Sequence, residues 1–266
     1  MTDGARPQTA TVNGRLWGAR ARDWAEVQEA TARPAYEAVL TRAGVGPGSA
    51  YLDLGCGAGL AARLAADRGA TVSGVDAAGP LLAIARERTP EGDFRLGDLE
   101  SPPFANGMFD LVTGFNAFQY AGDPVVALKA ARRVARPGGL VAIMVWSEPA
   151  DMPMASVITA LGKLLPPPPP GSGGPFALSG EAALRGLAEA AGLQPEAVFD
   201  VSEPIRYPDL QTALRGLNAS GVAARAIETA GEDAVSKAHA DALAPFRGQD
   251  GGYVIGAAFR CLLAWA

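Results

Sequence analysis

The stretch Tyr51-Leu52-Asp53-Leu54-Gly55-Cys56-Gly57-Ala58-Gly59-Leu60 constrains this 266-residue chain more than any other. Four mostly apolar residues predict a short buried strand. Glycines at every second position predict a tight turn, and the alanine-rich run from Ala58 to Arg68 predicts a helix. A strand, a glycine turn and a helix form a nucleotide-type site, because bare backbone can approach a ligand there. Dinucleotide loops read G-x-G-x-x-G. In this chain the slot for their third glycine holds Leu60, and the glycines stand at 55, 57 and 59. An acid, Asp53, lies inside the strand just ahead of the turn. An ordinary strand–helix turn needs neither the three glycines nor that acid.

The following segments repeat the alternation. Thr71 to Val75 predicts a second strand ending at Asp76, 21 residues after Gly55. A carboxylate there suits a ribose diol, since it accepts hydrogen bonds from both hydroxyls. NAD enzymes share this feature, so it points to a nucleoside without choosing the cofactor. Pro80 to Arg88 predicts a helix. Phe94-Arg95-Leu96 predicts a third strand, followed by Gly97-Asp98-Leu99. Phe109 to Gly114 predicts a fourth strand, followed by Phe115-Asn116-Ala117-Phe118-Gln119-Tyr120. Asp123-Pro124 is a helix start, an N-cap acid with proline in the first turn. Arg132, Arg133 and Arg136 fall near the predicted end of that helix, where cations complement its dipole. Arg136 therefore reads as structural. Pro137-Gly138-Gly139 predicts the stop, and Leu140 to Trp146 reads as a strand buried on both faces. This alternation predicts an α/β fold with a doubly wound sheet and ligands at the strand carboxyl ends.

The glycine stretch resembles motif I of the class I S-adenosylmethionine-dependent methyltransferases, roughly E/D-x-G-x-G-x-G. The acids after the second and third strands, and Arg133-Val134-Ala135-Arg136-Pro137-Gly138-Gly139 before the fifth, extend the resemblance in order. It implies a seven-stranded, mostly parallel, Rossmann-like sheet, the last strand antiparallel and inserted beside the sixth. It implies S-adenosylmethionine as cofactor and S-adenosylhomocysteine as product. Asp53, Gly55, Cys56, Gly57 and Gly59 would meet the amino-acid part, and Asp76 the ribose. Ala77 and Leu81 would pack on adenine. Asp98, between Gly97 and Leu99, would accept from the adenine amino group, with Phe115 and Asn116 completing the cofactor site. Many small-molecule methyltransferases carry a histidine pair in the loop after the fourth strand. Gln119 and Tyr120 occupy those slots here, so no histidine role carries over. The implied function is methyl transfer to a small, partly hydrophobic or aromatic metabolite by in-line displacement. The alternative is a protein that binds the cofactor structurally for a reaction other than methylation. A nicotinamide-dependent reductase is disfavoured by the glycine spacing and the lack of an evident Tyr-x-x-x-Lys pair.

Four segments are expected: a helical arm or lid at 1–46, a cofactor-binding α/β core at 47–150, an insertion at 151–178, and the remaining core at 179–266. The first insertion contains Pro166 to Pro170, a stiff polyproline run followed by glycines. The last segment contains a second, helical insertion at 208–246. Residues 22–43 of the arm have helical periodicity, with Pro34 opening a second helix. Trp17, Trp24, Phe118 and Trp146 are the expected substrate-pocket residues, with Gln119 and Tyr120 positioning the acceptor. The sole histidine, His239, lies in a predicted helix of the second insertion and reads as structural.

Composition narrows the partners. A net charge of −5 argues against a nucleic-acid surface. Cys56 and Cys261 are far apart in sequence, and no metal-ligand cluster is visible. No run of 18 apolar residues predicts a membrane span, and the first ten residues lack the apolar centre of a signal peptide. The expectation is a cytoplasmic protein acting on a small molecule. The oligomeric state and the acceptor atom (oxygen, nitrogen or carbon) stay open at this level.

Overall fold

The apolar runs after the arm become adjacent strands in the computed structural model, which describes residues 9–166 and 174–266. The chain begins with α1 (Thr9–Gly18) and α2 (Ala21–Asp23), then a π-helical turn at Trp24–Gln28, a 3-10 turn at Glu29–Ala32, and α3 (Arg33–Arg42). Strand and helix then alternate: β1 (Ala50–Leu54), α4 (Leu60–Ala66), β2 (Thr71–Asp76), α5 (Gly79–Arg88), β3 (Asp93–Leu96), β4 (Phe109–Phe115), α6 (Pro124–Val134) and β5 (Ala135–Trp146). The last part holds α7 (Met154–Thr159), α8 (Glu181–Ala190), β6 (Gln194–Ser202), β7 (Ile205–Tyr207), α9 (Leu210–Leu217), α10 (Gly221–Ala230), α11 (Glu232–Leu243), β8 (Tyr253–Ile255) and β9 (Ala258–Trp265).

Seven strands form one sheet in the order β3-β2-β1-β4-β5-β9-β6. The pairs from β3 through β5 are parallel, and β9 runs antiparallel between β5 and β6. This is the predicted doubly wound sheet. Side chains alternate across it. Tyr51, Leu111, Met144 and Phe259 pack on one face with Val39 and Leu40 of α3 and Ala61 and Ala65 of α4. Leu52, Leu54, Val112, Ile143 and Leu262 pack on the other with Leu128 of α6 and Leu184 of α8. Strand order reverses at β1, which lies between β2 and β4, so the crevice at its carboxyl end is the place for a ligand.

The structure departs from the sequence reading around Pro137-Gly138-Gly139. Helix α6 ends at Val134, before the Pro-Gly-Gly stop, and β5 begins at Ala135. Ala135 pairs with Phe109, and the register shifts before Leu140 meets Leu111, so Pro137-Gly138-Gly139 is taken up as an irregularity inside the strand. Arg136 forms an ion pair with Asp110. Residues 208–246 hold α9, α10 and α11, and the flanking β7 and β8 pair as a separate two-stranded sheet that shares an apolar cluster with Met154, Val157 and Leu217. Most of the proline–glycine connector, residues 167–173, lies outside the described residues.

The arm lies against the core rather than apart from it. Helix α1 packs on α5 and α10. Gly14 is essential to that seat, because a side chain there would begin 2.2 Å from the carbonyl oxygen of Ala77. Arg20–Glu232 at 2.8 Å, Arg22–Glu87 at 2.9 Å and Arg215–Asp23 at 2.5 Å tie α1 and α2 to their neighbours. Such exposed pairs contribute little each, so backbone approach and apolar burial carry the docking. Among the described residues no helix is long and apolar enough to cross a membrane.

Candidate active site

A cavity of about 940 Å³, part of it open to solvent, lies over the carboxyl ends of β1, β2 and β4 and under the arm. The glycine turn forms its floor. The amides of Gly55 and Cys56 both donate to the carbonyl of Val75, fastening the turn to β2. The amide of Gly57 donates to Asp76 Oδ2 at 2.8 Å, and the amide of Ala78 to Asp76 Oδ1 at 2.8 Å. Asp76 is thereby held in one orientation at the cavity wall. Burial raises its pKa, while the amides of Ala78, Gly57 and Ala77 pull it back. Beyond it, Asp98 caps its own turn by accepting from the Glu100 amide at 2.9 Å.

Of the residues expected to hold a cofactor, Gly55, Gly57, Asp76, Ala77, Leu81, Gly97, Asp98, Leu99, Phe115 and Asn116 line this cavity. Asn116 takes a left-handed φ of 51°, uncommon outside glycine, and its amide donates to Met144 O at 2.8 Å. Three others do not reach it. Cys56 turns into the core beneath the loop, beside Gly74 and Phe94. Gly59 has a φ of 82° and begins α4; a side chain there would start 2.8 Å from Ala85 Cβ. Its lack of a side chain serves helix packing. Asp53 lies below the floor, 2% exposed, where Thr113 Oγ1 donates to its Oδ1 at 2.7 Å and Tyr51 donates in turn to Thr113 at 2.7 Å.

Asp53 carries a consequence for stability. Burial, opposed by the Thr113 hydrogen bond and reinforced by Glu29 and Asp76, pushes its pKa up to about 8. The folded protein therefore keeps a proton that the unfolded chain releases near pH 4. Stability from this group is fully present below about pH 4 and is lost as pH rises to about 8. Asp53→Asn, which cannot ionise and still accepts from Thr113, is expected to raise the melting temperature more at pH 8 than at pH 5. Equal effects at both pH values would show that Asp53 is already ionised in the fold.

The acceptor side is aromatic. Trp17, Trp24, Tyr120 and Trp146 line the cavity as expected. Trp17 meets Trp24 edge to face at 5.0 Å and Tyr120 at 5.4 Å, and Trp146 stacks on Phe259 at 4.5 Å. Burial pushes the Tyr120 phenol up to about 12, so it stays neutral. Phe118, expected in the pocket, is instead fully buried in the core, its ring against Gly114. Gln119, expected to orient the acceptor, also lies off the cavity. Its Nε2 donates to Asn116 Oδ1 at 3.2 Å, so it bears on the cavity through Asn116. A 3-10 turn over Phe118–Tyr120 explains both placements, since it turns only Tyr120 of the three to the cavity.

Sequence reading missed Asn13, Gln28, Glu29, Thr31 and Phe259, all of which line the cavity. For Gln28 and Glu29 the π-helical turn is the cause. The Glu29 amide bonds back to Trp24 O, five residues earlier, so the register shifts and Gln28 and Glu29 turn inward while Ala30 is exposed. Uniform helical spacing points Ala30 inward. His239 lies away from the cavity. It is 4% exposed, with Nδ1 against Asn218 Oδ1 at 2.8 Å, and burial pushes its pKa down to about 4.

A doubly wound sheet with a glycine turn, a backbone-clamped aspartate and a second acid one strand further has the layout of a nucleotide-type site. Residues 52–143 match the family described as "Methyltransferase domain". That segment, about a third of the chain, is what the chain shares with the methyltransferases. It is 30% identical over 159 residues to the demethylmenaquinone methyltransferase of Renibacterium salmoninarum, covering 60% of this chain and 62% of that one. It is 28% identical over 185 residues to the malonyl-[acyl-carrier protein] O-methyltransferase of Erwinia pyrifoliae, covering 70% of this chain and 66% of that one. The matches thus span less than two thirds of these relatives' lengths. A presumed methyltransferase from Bacillus halodurans shares the fold with a TM-score of 0.57, at 17% identity over 86% of this chain and 97% of that one.

Proposed function

We propose that this protein transfers the methyl group of S-adenosylmethionine to a small, partly hydrophobic or aromatic acceptor by in-line displacement. The observation that carries the reading is one cavity joining a clamped ribose-type aspartate, Asp76, to an aromatic chamber of Trp17, Trp24, Tyr120 and Trp146. The cavity also fits the charge of the cofactor. Among the described residues its lining includes the carboxylates Glu29, Asp76 and Asp98 but no arginine or lysine. Asp76 would take the ribose hydroxyls, Ala77 and Leu81 would flank adenine, and Asp98 would accept from its amino group. The acceptors named for the two relatives differ widely, a quinone precursor and a carrier-bound acyl group, so this chain's acceptor is read from its own chamber.

The sulfonium supplies an already activated methyl group. The protein's task is to align an acceptor and exclude water, which can supply roughly 7–11 kcal/mol in well-oriented systems. Trp17 and Trp24 of the arm close the chamber. Tyr120 presents a neutral hydroxyl that can orient an acceptor but is a poor base. The cavity lining contains no histidine. These features favour an acceptor that needs no strong base, such as an amine or an acidified phenol.

The test is incubation with S-adenosylmethionine and a metabolite panel, followed by mass spectrometry for S-adenosylhomocysteine and a product heavier by one methylene. Tight cofactor binding with no product across acceptors that fill the chamber would favour the non-methylating alternative. On the active acceptor, His239→Ala is expected to keep most of kcat while lowering stability by about 1–3 kcal/mol, the range for disturbing a buried hydrogen-bonded group. A loss of kcat beyond about a hundredfold would reveal a dedicated base.

A further inference from the structure

Glu29 is a carboxylate only 4% exposed, carried on the arm and lining the cavity. It sits over the glycine turn. Its Oε1 accepts from the Leu60 amide at 3.3 Å and lies 3.4 Å from where a side chain on Gly57 would begin. The sheet order sets the direction of any bound nucleoside. Asp98 follows β3, Asp76 ends β2, and the glycine turn follows β1, so base, ribose and the remainder run across the sheet toward Glu29. The remainder of S-adenosylmethionine is its amino-acid tail.

One cation serves this corner. Arg88 pairs with Glu29 Oε2, and it also donates to Ala58 O at 3.0 Å and to Ala25 O at 2.7 Å. One guanidinium is thus shared among a carboxylate and two carbonyls, while the buried Asp53 lies close by below the floor. Burial raises the pKa of Glu29, and Arg88 offsets that only in part. A ligand ammonium would supply the missing charge.

We propose that Glu29 receives the α-ammonium of the cofactor's amino-acid tail, so that the arm itself selects the complete cofactor over its nucleoside fragments. The inference rests on reading this cavity as an S-adenosylmethionine site. Through Arg88 and the carbonyl of Ala25, the same contact couples the tail to the seating of the arm.

The test measures affinities by calorimetry for S-adenosylhomocysteine, its des-amino analogue and methylthioadenosine, which lacks the amino-acid tail. Wild type is expected to favour S-adenosylhomocysteine over the des-amino analogue by about 10- to 100-fold, the worth of a charged hydrogen bond. Glu29→Gln keeps the shape but not the charge, and should bring the two within about threefold while leaving methylthioadenosine affinity unchanged. Equal wild-type affinity for the amino and des-amino ligands would overturn the proposal. So would a Glu29→Gln variant that weakens all three alike, which marks a structural role. Should that variant fail to fold, Glu29→Asp keeps the charge one methylene further back. It is expected to give intermediate discrimination, and wild-type discrimination in that variant would overturn the assignment. Wild type that binds none of the three ligands would overturn the cofactor reading together with this one.

Discussion

Asp76→Ala is expected to weaken S-adenosylmethionine binding by about 10- to 100-fold, the value of hydrogen bonds from ribose hydroxyls to a charged acceptor. The effect follows from how the carboxylate is held. Both oxygens already accept a backbone amide, from Gly57 and from Ala78, so the group is oriented before any ligand arrives. Removing it leaves those two amides without their acceptor. A stability loss of about 1–3 kcal/mol should therefore accompany the loss of affinity. The pH dependence has a definite sign. The Asp76 pKa lies above the ordinary carboxylate value, so cofactor affinity should fall as pH drops through that raised pKa, and the variant should lose this dependence. Calorimetry on both proteins between pH 4 and 8 checks the two effects together. Unchanged affinity at neutral pH would remove Asp76 from the cofactor site.

Phe118→Ala should act in the opposite manner, on stability and not on acceptor binding. The ring is fully buried against Gly114, among Val112, Leu128 and Ile143. Truncating a buried phenylalanine costs about 3–5 kcal/mol, which corresponds to a melting-temperature drop of roughly 6–20 °C for a chain of this size. At a temperature where the variant remains folded, KM for the acceptor should stay near the wild-type value. Tyr120→Phe is the control from the same turn, since its hydroxyl belongs to the cavity residue and its loss should raise KM with little change in melting temperature. A raised KM with full stability for Phe118→Ala would place the ring in the pocket after all.

These two residues mark where sequence reading succeeds and where it stops. The place of Asp76 at the cavity wall was legible because it is local: a strand end, a fixed interval after a glycine turn, and backbone amides close by in the chain and the turn. Phe118 was not, because a six-residue loop with three aromatic rings does not say which ring turns inward. A 3-10 turn after β4 made that choice, seating Phe118 in the space that Gly114 leaves open. Gly59 is a similar case. Its place in the motif implied ligand contact, whereas the approach of α5 at Ala85 shows that the missing side chain makes room for a helix.

The sequence by itself determined the alternation of strand and helix, the doubly wound class and the cavity-lining acids Asp76 and Asp98. Each depends on residues within a turn or two of one another, where backbone conformation and side-chain period are set locally. Only the tertiary structure decided which carboxylates share the cavity. Asp53 fell beneath the floor because strand alternation turned it toward Thr113 of β4, 60 residues away. Glu29 entered because a π-helical turn shifted the arm's register and Arg88, 59 residues on, held it over the glycine loop. Contacts across such separations depend on how elements dock, and docking is decided by packing summed over the whole core rather than by any one stretch of chain.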